Sequence, residues 1–451
     1  MSAAAAEAEH FRFADMDSAA GPRFGAGARV DPYWDRLWLP GSQAVWSTAF
    51  DETGTSELDE DAGAAAAATL FSSVARRGSR IAALGVLDSW RTVTAQQLCA
   101  FTGSSEFAAR TKPVPRAFFD GGVLDIGGFP RALQRSSTAT LYRPSPTTSF
   151  NTHLAPRLTY PEWLAITGGT GWSTGHQFDR HNILAAELAL RAAEYTSMVP
   201  LGEKFASVDL LAHSGLGKPV NLAGNRTGDG VLVRDDGLRV VFEITSSAHH
   251  GVEAKVEKWA RLIAERPLET SGLVVIFVLV PHPDVTRNRQ TPASVASATK
   301  KKIGHVLRSF PSRSPDAPAN RIGVVSWADW FPAAGTFTEA FLTGTADFPG
   351  EDLGQWRTQD LFMDYAFQPW SGFDATAVLD NVNALGATPH WQRTRAAGEI
   401  IGRPSTRAGR PRPMTDPSST RARGEPVAPM FGRTRVPVRL HDPLGVTGAR
   451  R

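Results

Sequence analysis

Residues 228–247 read GDGVLVRDDGLRVVFEITSS, and the reading of this stretch decides the fold. Two apolar runs, 230–233 and 239–245, flank Asp235-Asp236-Gly237, a turn triplet that joins antiparallel strands. Downstream, eight consecutive apolar residues at 273–280 predict a strand buried on both faces, as parallel strands are. A parallel neighbour needs a crossover, and Val252, Val256, Trp259 and Ile263 supply an apolar stripe for a helix over 252–265. A helix over 179–195, capped by Asp179, precedes the hairpin, with Ile183, Leu184, Leu188 and Leu190 apolar. Further strand signals lie at 205–211 and 322–327, and a further helix at about 293–308. The expectation for 175–330 is therefore an α/β (α+β) domain, a mixed sheet flanked by helices.

The same hairpin carries the chemistry. Asp229 opens its first strand and Glu243 follows fourteen residues later in the second, beside Val241, Phe242 and Ile244. A carboxylate in an apolar run is costly unless it is ion-paired, hydrogen-bonded or metal-bound. Metal-dependent DNA cleavage of the restriction-endonuclease type uses such an acid pair to hold Mg²⁺ against a phosphate. It adds a lysine two residues after the Glu, on the same face of the strand. Here that position is Thr245, which points to a degenerate nuclease-like site that binds rather than cuts; Lys255 or Lys258 of the following helix could substitute for the missing lysine. Glu187, in one helical row with Ile183 and Leu190, is expected to be a third ligand. The catalytic candidates are Asp229, Glu243 and Lys255, and the metal candidates are Glu187, Asp229 and Glu243. His249 and His250 are adjacent and point apart on a strand, and His181 reads as a helix-start hydrogen-bonding group. SGLGKPV at 214–220 fails as a phosphate loop, because Ala212 and Pro219 replace the required Gly and Ser or Thr.

Upstream, Ile81, Leu84, Val86 and Leu87 recur at helical spacing and lead to Trp90. Thr94 is a candidate N-cap for a helix over 95–101, Gly103 turns the chain, and a second helical stretch begins at Glu106. GGVLDIGG at 121–128 then suggests a short hairpin. Helix, helix-turn-helix and hairpin make the layout of a winged-helix domain, expected over 76–146, with Arg110, Lys112 and Arg116 facing DNA. Pro113 and Pro115 fall inside the expected recognition helix, where an interior proline costs about 3 kcal/mol.

At 451 residues the chain has room for two or three domains. Its single cysteine, Cys99, excludes intramolecular disulfides and Cys-based zinc sites. The N-terminus lacks the basic and apolar regions of a signal peptide, and no apolar run approaches the roughly 20 residues that span a bilayer. The expectation is a cytoplasmic protein without a membrane partner. Residues 1–75, with alanine runs at 3–6 and 64–68, read as a flexible segment. Residues 331–391 carry aromatics and read as an extension packed on the core. Residues 392–451 read as a disordered basic tail: from Arg403 onward eleven arginines face three acids, +8 in a chain whose net charge is +3.

The order of these parts resembles the replication-relaxation family of plasmids and integrative elements. The resemblance rests on DRHNILAAELALRAA at 179–193, GDGVLV at 228–233, FEITSS at 242–247 and VEAKVEKWARLI at 252–263. His181, Leu184, Glu187, Asp229, Glu243, Thr245 and Lys255 fall on matching places. Ile244, where the family tends to carry a basic residue, departs from the pattern. The resemblance implies a DNA-binding protein of mobile-element replication, relaxation or transfer, with DNA and other transfer or replication proteins as partners. The alternatives are an active metal-dependent nuclease or nickase, and a non-catalytic scaffold of the transfer machinery.

Overall fold

The run at 273–280 lies near the middle of a seven-stranded sheet, where its uniform hydrophobicity requires it to be. The computed structural model describes residues 10–35, 37–38, 43–49, 60–129, 139–168, 171–173, 178–206, 228–248, 250–268, 270–281, 291–312, 314, 316–350 and, with short interruptions, 353–393. The 214–220 loop, most of the expected 205–211 strand, His249 and the basic tail lie outside these residues.

In chain order the helices of eight or more residues are α1 (Glu60–Phe71), α2 (Val74–Trp90), α3 (Ala95–Thr102), α4 (Pro113–Asp120), α5 (Tyr160–Thr167), α6 (Asp179–Tyr195), α7 (His250–Glu265) and α8 (Pro292–Leu307). The strands are β1 (His10–Arg12), β2 (Val45–Ser47), β3 (Val93–Thr94), β4 (Leu124–Gly128), β5 (Leu141–Pro144), β6 (Val199–Gly202), β7 (Gly230–Val233), β8 (Arg239–Thr245), β9 (Leu273–Leu279), β10 (Ile322–Ser326), β11 (Thr336–Thr338), β12 (Thr345–Phe348) and β13 (Arg357–Asp360).

The large sheet has the order β13-β12-β10-β9-β8-β7-β6. Strands β6, β7 and β8 form an antiparallel meander, whereas β8, β9 and β10 run parallel. The β7–β8 turn is the anticipated one: Gly237 adopts φ +93°, which its missing Cβ permits, and its N–H donates to the Arg234 carbonyl at 2.9 Å. Helix α7 makes the crossover from β8 to β9. The first strand of the meander is Val199–Gly202 rather than a strand from 205; Phe205 lies in a 3-10 turn.

Four short strands, ordered β2-β4-β5-β3, form a second sheet beside α2, α3 and α4. Thr94 caps α3 through a reciprocal capping box with Gln97, as its position suggested. The prolines of α4 need a correction. Pro113 and Pro115 stand in the first turn, not the interior, where their missing N–H groups would have had no intrahelical partner. A second correction concerns α6: Phe178 is its N-cap, and Asp179 accepts from the Trp46 indole at 3.0 Å and the Thr92 hydroxyl at 2.8 Å. The first helical residue therefore ties α6 to the second sheet.

The described part of the N-terminal segment is also ordered, contrary to the flexible reading. Strand β1 pairs with β11, Phe13 is buried among the rings of Tyr195, Phe331 and Phe337, and α1 packs on α4. Arg29 reaches the fully buried Glu187 of α6, with Nη2 2.9 Å from Oε1, and its Nη1 pairs with Glu194. Arg191 adds a bond to Glu187 at 3.1 Å and one to Asp31 at 2.7 Å, its guanidinium lying 4.5 Å from the Phe331 ring centroid. Burial works against Glu187's charge, but Arg29 and Arg191 outweigh it and hold the carboxyl at about 2.

Breaking a buried pair from one side costs about 3–5 kcal/mol, because the remaining charge is left uncompensated. Arg29→Ala is therefore expected to lower the stability measured by urea unfolding by about that amount. A loss below about 1 kcal/mol, the scale of an exposed pair, would show that residues 10–35 are not a structural part of the sheet domain.

Candidate functional site

The hairpin sets the positions of the acid pair. Asp229 immediately precedes β7; its N–H donates to the Phe242 carbonyl at 3.0 Å and its Oδ2 accepts from the Ile244 N–H at 2.6 Å. Both hydrogen bonds attach it to β8 on either side of Glu243. The flanking glycines are steric requirements: a Cβ on Gly230 would lie 2.2 Å from the Phe242 ring, and one on Gly228 2.4 Å from Val241 Cγ1. This explains the GDG spacing around the acid.

Glu243 has no exposed surface. Its partners come from α7, where residues three and four apart share a face. Lys255 Nζ donates to Glu243 Oε2 and lies 4.0 Å from Asp229 Oδ2. Lys258 Nζ lies 3.6 Å from Glu243 Oε1, and the Trp259 indole N–H donates to the same oxygen at 2.8 Å. The Lys258 ammonium also sits 4.1 Å from the Trp259 ring centroid. Thr245 remains buried, its hydroxyl donating to the Glu243 carbonyl at 3.3 Å.

The structure thus brings together Asp229, Glu243, Lys255 and Lys258, so α7 supplies the ammonium that position 245 lacks. Trp259, assigned from the sequence only to the apolar stripe, is a polar partner of the site; its place four residues after Lys255 was the available signal. Glu187 is not a shared ligand. Arg29, Arg191 and Gln97 occupy its carboxylate, and among the described residues no three His, Cys, Asp or Glu side chains are grouped to hold a metal ion. Arg110 and Arg116 line a cleft of about 350 Å³ with Ser47, Thr111, Phe119 and Ile126. Lys112 is the exposed N-cap of α4, and Arg116 pairs with Asp120 one turn on at 2.7 Å.

Electrostatically the acids diverge. Burial pushes the Asp229 carboxyl up to about 7; Lys255 opposes the rise and Glu243 adds to it. Burial also disfavours charge on Glu243, but Lys255 and Lys258 override it and hold that carboxyl below the usual range. Lys255 is correspondingly raised, Glu243 and Asp229 outweighing burial, whereas burial lowers Lys258. Two ammonium groups therefore face one full and one partial negative charge near neutral pH. Mg²⁺ requires oxygen ligands at about 2.0–2.1 Å in octahedral geometry. With Oε1 facing Trp259 and Lys258 and Oε2 bound by Lys255, Glu243 offers no open oxygen, so the residues as arranged do not fit a divalent ion.

No protein-family model, curated protein or solved structure matches the chain.

The sign of the pH effect follows from these shifts. The folded chain keeps the Asp229 proton where the unfolded chain, with an ordinary value of 3.8, has released it. Its contribution therefore favours folding less and less as pH rises from about 4 to about 7. Glu243 acts oppositely, stabilising above its ordinary 4.5 and losing that effect as pH falls. Asp229→Asn keeps an acceptor for Ile244 but cannot ionise. Its stability relative to the parent is expected to rise between pH 5 and pH 8 in denaturant titrations. A difference independent of pH would contradict the shift.

Proposed function

We propose that the protein binds DNA without cutting it, and that residues 175–330 are a restriction-endonuclease-like domain whose acid pair is neutralised from within. The observation that carries this reading is the enclosure of Glu243 by two ammonium groups and an indole N–H. A site built for metal-assisted hydrolysis must leave carboxylate oxygens open to the ion. Here the Lys255 ammonium takes Oε2 and the Trp259 indole takes Oε1, with the Lys258 ammonium 3.6 Å from the latter.

The finer fold reading is supported by topology. The succession α6-β6-β7-β8-α7-β9, an antiparallel meander followed by a parallel crossover, is the order expected of a restriction-endonuclease-like core, with one acid just before the second strand and one on the third. The succession α2-β3-α3-α4-β4-β5 is the order expected of a winged helix, with α4 in the recognition position. Arg110, Lys112 and Arg116 are exposed at the start of α4, where they would meet phosphates. The arginine-rich tail would add a sequence-independent electrostatic attraction. The resemblance to the replication-relaxation family suggests replication, relaxation or transfer of a plasmid or other mobile element as the setting.

DNA affinity is expected to fall steeply with salt, because each neutralised phosphate releases counterion. Replacing Arg110 and Arg116 together by Ala should weaken binding and reduce the slope of log K against log[salt] by about 2. Absence of binding at low salt would end this reading.

The second reading, a Mg²⁺-dependent nuclease or nickase, is favoured by one specific fact: Asp229, Glu243 and Lys255 converge. A supercoiled-plasmid assay with Mg²⁺ or Mn²⁺ separates the two. The non-cleaving reading expects no nicking, and nicking abolished by Asp229→Ala and Glu243→Ala together would replace it with the second.

A further inference from the structure

One of the two Glu243 oxygens, Oε2, is closed by a single side chain, Lys255, and that side chain is the most exposed member of the group. Lys255 is 31% exposed, Lys258 10%, and Glu243 has no exposed side-chain surface. The partly exposed Lys255 side chain places its ammonium against both acids, on Glu243 Oε2 and 4.0 Å from Asp229 Oδ2. The remaining bonds do not depend on it. Ile244 N–H orients Asp229 through the backbone of β8, and the Trp259 indole orients Glu243 through Oε1. A third carboxylate, Glu203, is close enough to act electrostatically on both Asp229 and Lys255.

We propose that the Lys255 ammonium occupies the place of a divalent cation, and that removing this one side chain turns the Asp229–Glu243 pair into a binding site for an oxygen-seeking divalent ion of the Mg²⁺ or Mn²⁺ class. Truncation at 255 frees Glu243 Oε2 and opens a solvent path to it. It also leaves two carboxylates facing one ammonium, with their orientation still set by Ile244 and Trp259. An oxygen-lined and preoriented pocket suits a hard cation, which on binding displaces the Asp229 proton that Lys255 no longer opposes. The inference rests on the internal neutralisation described above, but not on DNA binding, which the salt titration tests separately.

The test is a titration of the full chain with Mn²⁺ alone, free ion being read by electron paramagnetic resonance. The parent is expected to leave the Mn²⁺ signal unchanged and to show no Mn²⁺-dependent rise in its denaturation midpoint. Lys255→Ala is expected to bind at least about tenfold more tightly, a change of about 1.4 kcal/mol, and adding Glu243→Gln should abolish the gain. Lys255→Gln, which retains a donor for Glu243, serves as the second variant where truncation impairs folding and should bind with a smaller gain. Mn²⁺ binding or stabilisation in the parent would overturn the proposal irrespective of how the variants fold. So would the absence of any gain in a variant with native circular dichroism.

Discussion

A carboxylate buried in the middle of a helix must find cations, and Glu187 is the one on which the assembly of this chain depends. Helix α6 is alanine- and leucine-rich and packed along most of its length, so water cannot solvate the charge. Arg191 comes from the next turn of the same helix, but Arg29 comes from a segment 158 residues away and Gln97 from α3. Satisfying one carboxylate thus joins the N-terminal segment, the helix-strand unit and the sheet domain. Further hydrogen bonds from α6 reinforce this. Asp179 receives Trp46 and Thr92, Arg180 donates to the carbonyls of Val280 and Pro281, and the Ala193 carbonyl accepts from the Trp391 indole.

The same constraint, met by different residues, governs Glu243. An acid with no exposure on a strand of apolar neighbours is tolerated only because α7 presents Lys255, Lys258 and Trp259 at positions i, i+3 and i+4. Asp229, held by Ile244 N–H at the end of the neighbouring strand, accommodates the leftover charge by keeping its proton up to about pH 7. In each case the counter-charge belongs to the polypeptide. That common solution is the physical ground for reading the acid pair as a structural and electrostatic feature rather than as an open metal centre.

What could be read in the sequence was local. The Asp235-Asp236-Gly237 turn, the eight apolar residues of the central strand, the Thr94 N-cap and the stripe of α7 each depend on neighbours within a few residues, and each appears where its pattern put it. Lys255 and Lys258 were legible as substitutes for Thr245 because helical spacing turns both toward the strand. Strand β6 was not legible: four residues containing Pro200 and Gly202 give almost no β signal, and their place at the sheet edge is what tolerates the proline. The fate of Glu187 was also hidden, since its position in an apolar helical row says that it is buried but not which distant cation meets it. The alanine-rich composition of the first 75 residues likewise concealed Phe13, Arg29 and Asp31, three anchors whose partners are all far away in sequence.

The central claim is that Lys255, and not a metal ion, neutralises Glu243. Crystals of the unmodified protein grown in Mn²⁺ and measured at the manganese absorption edge would address it at the atoms concerned. The Lys255 ammonium is expected on Glu243 Oε2, with no anomalous peak between Asp229 and Glu243. A manganese peak bridging the two carboxylates, with Lys255 displaced, would contradict it.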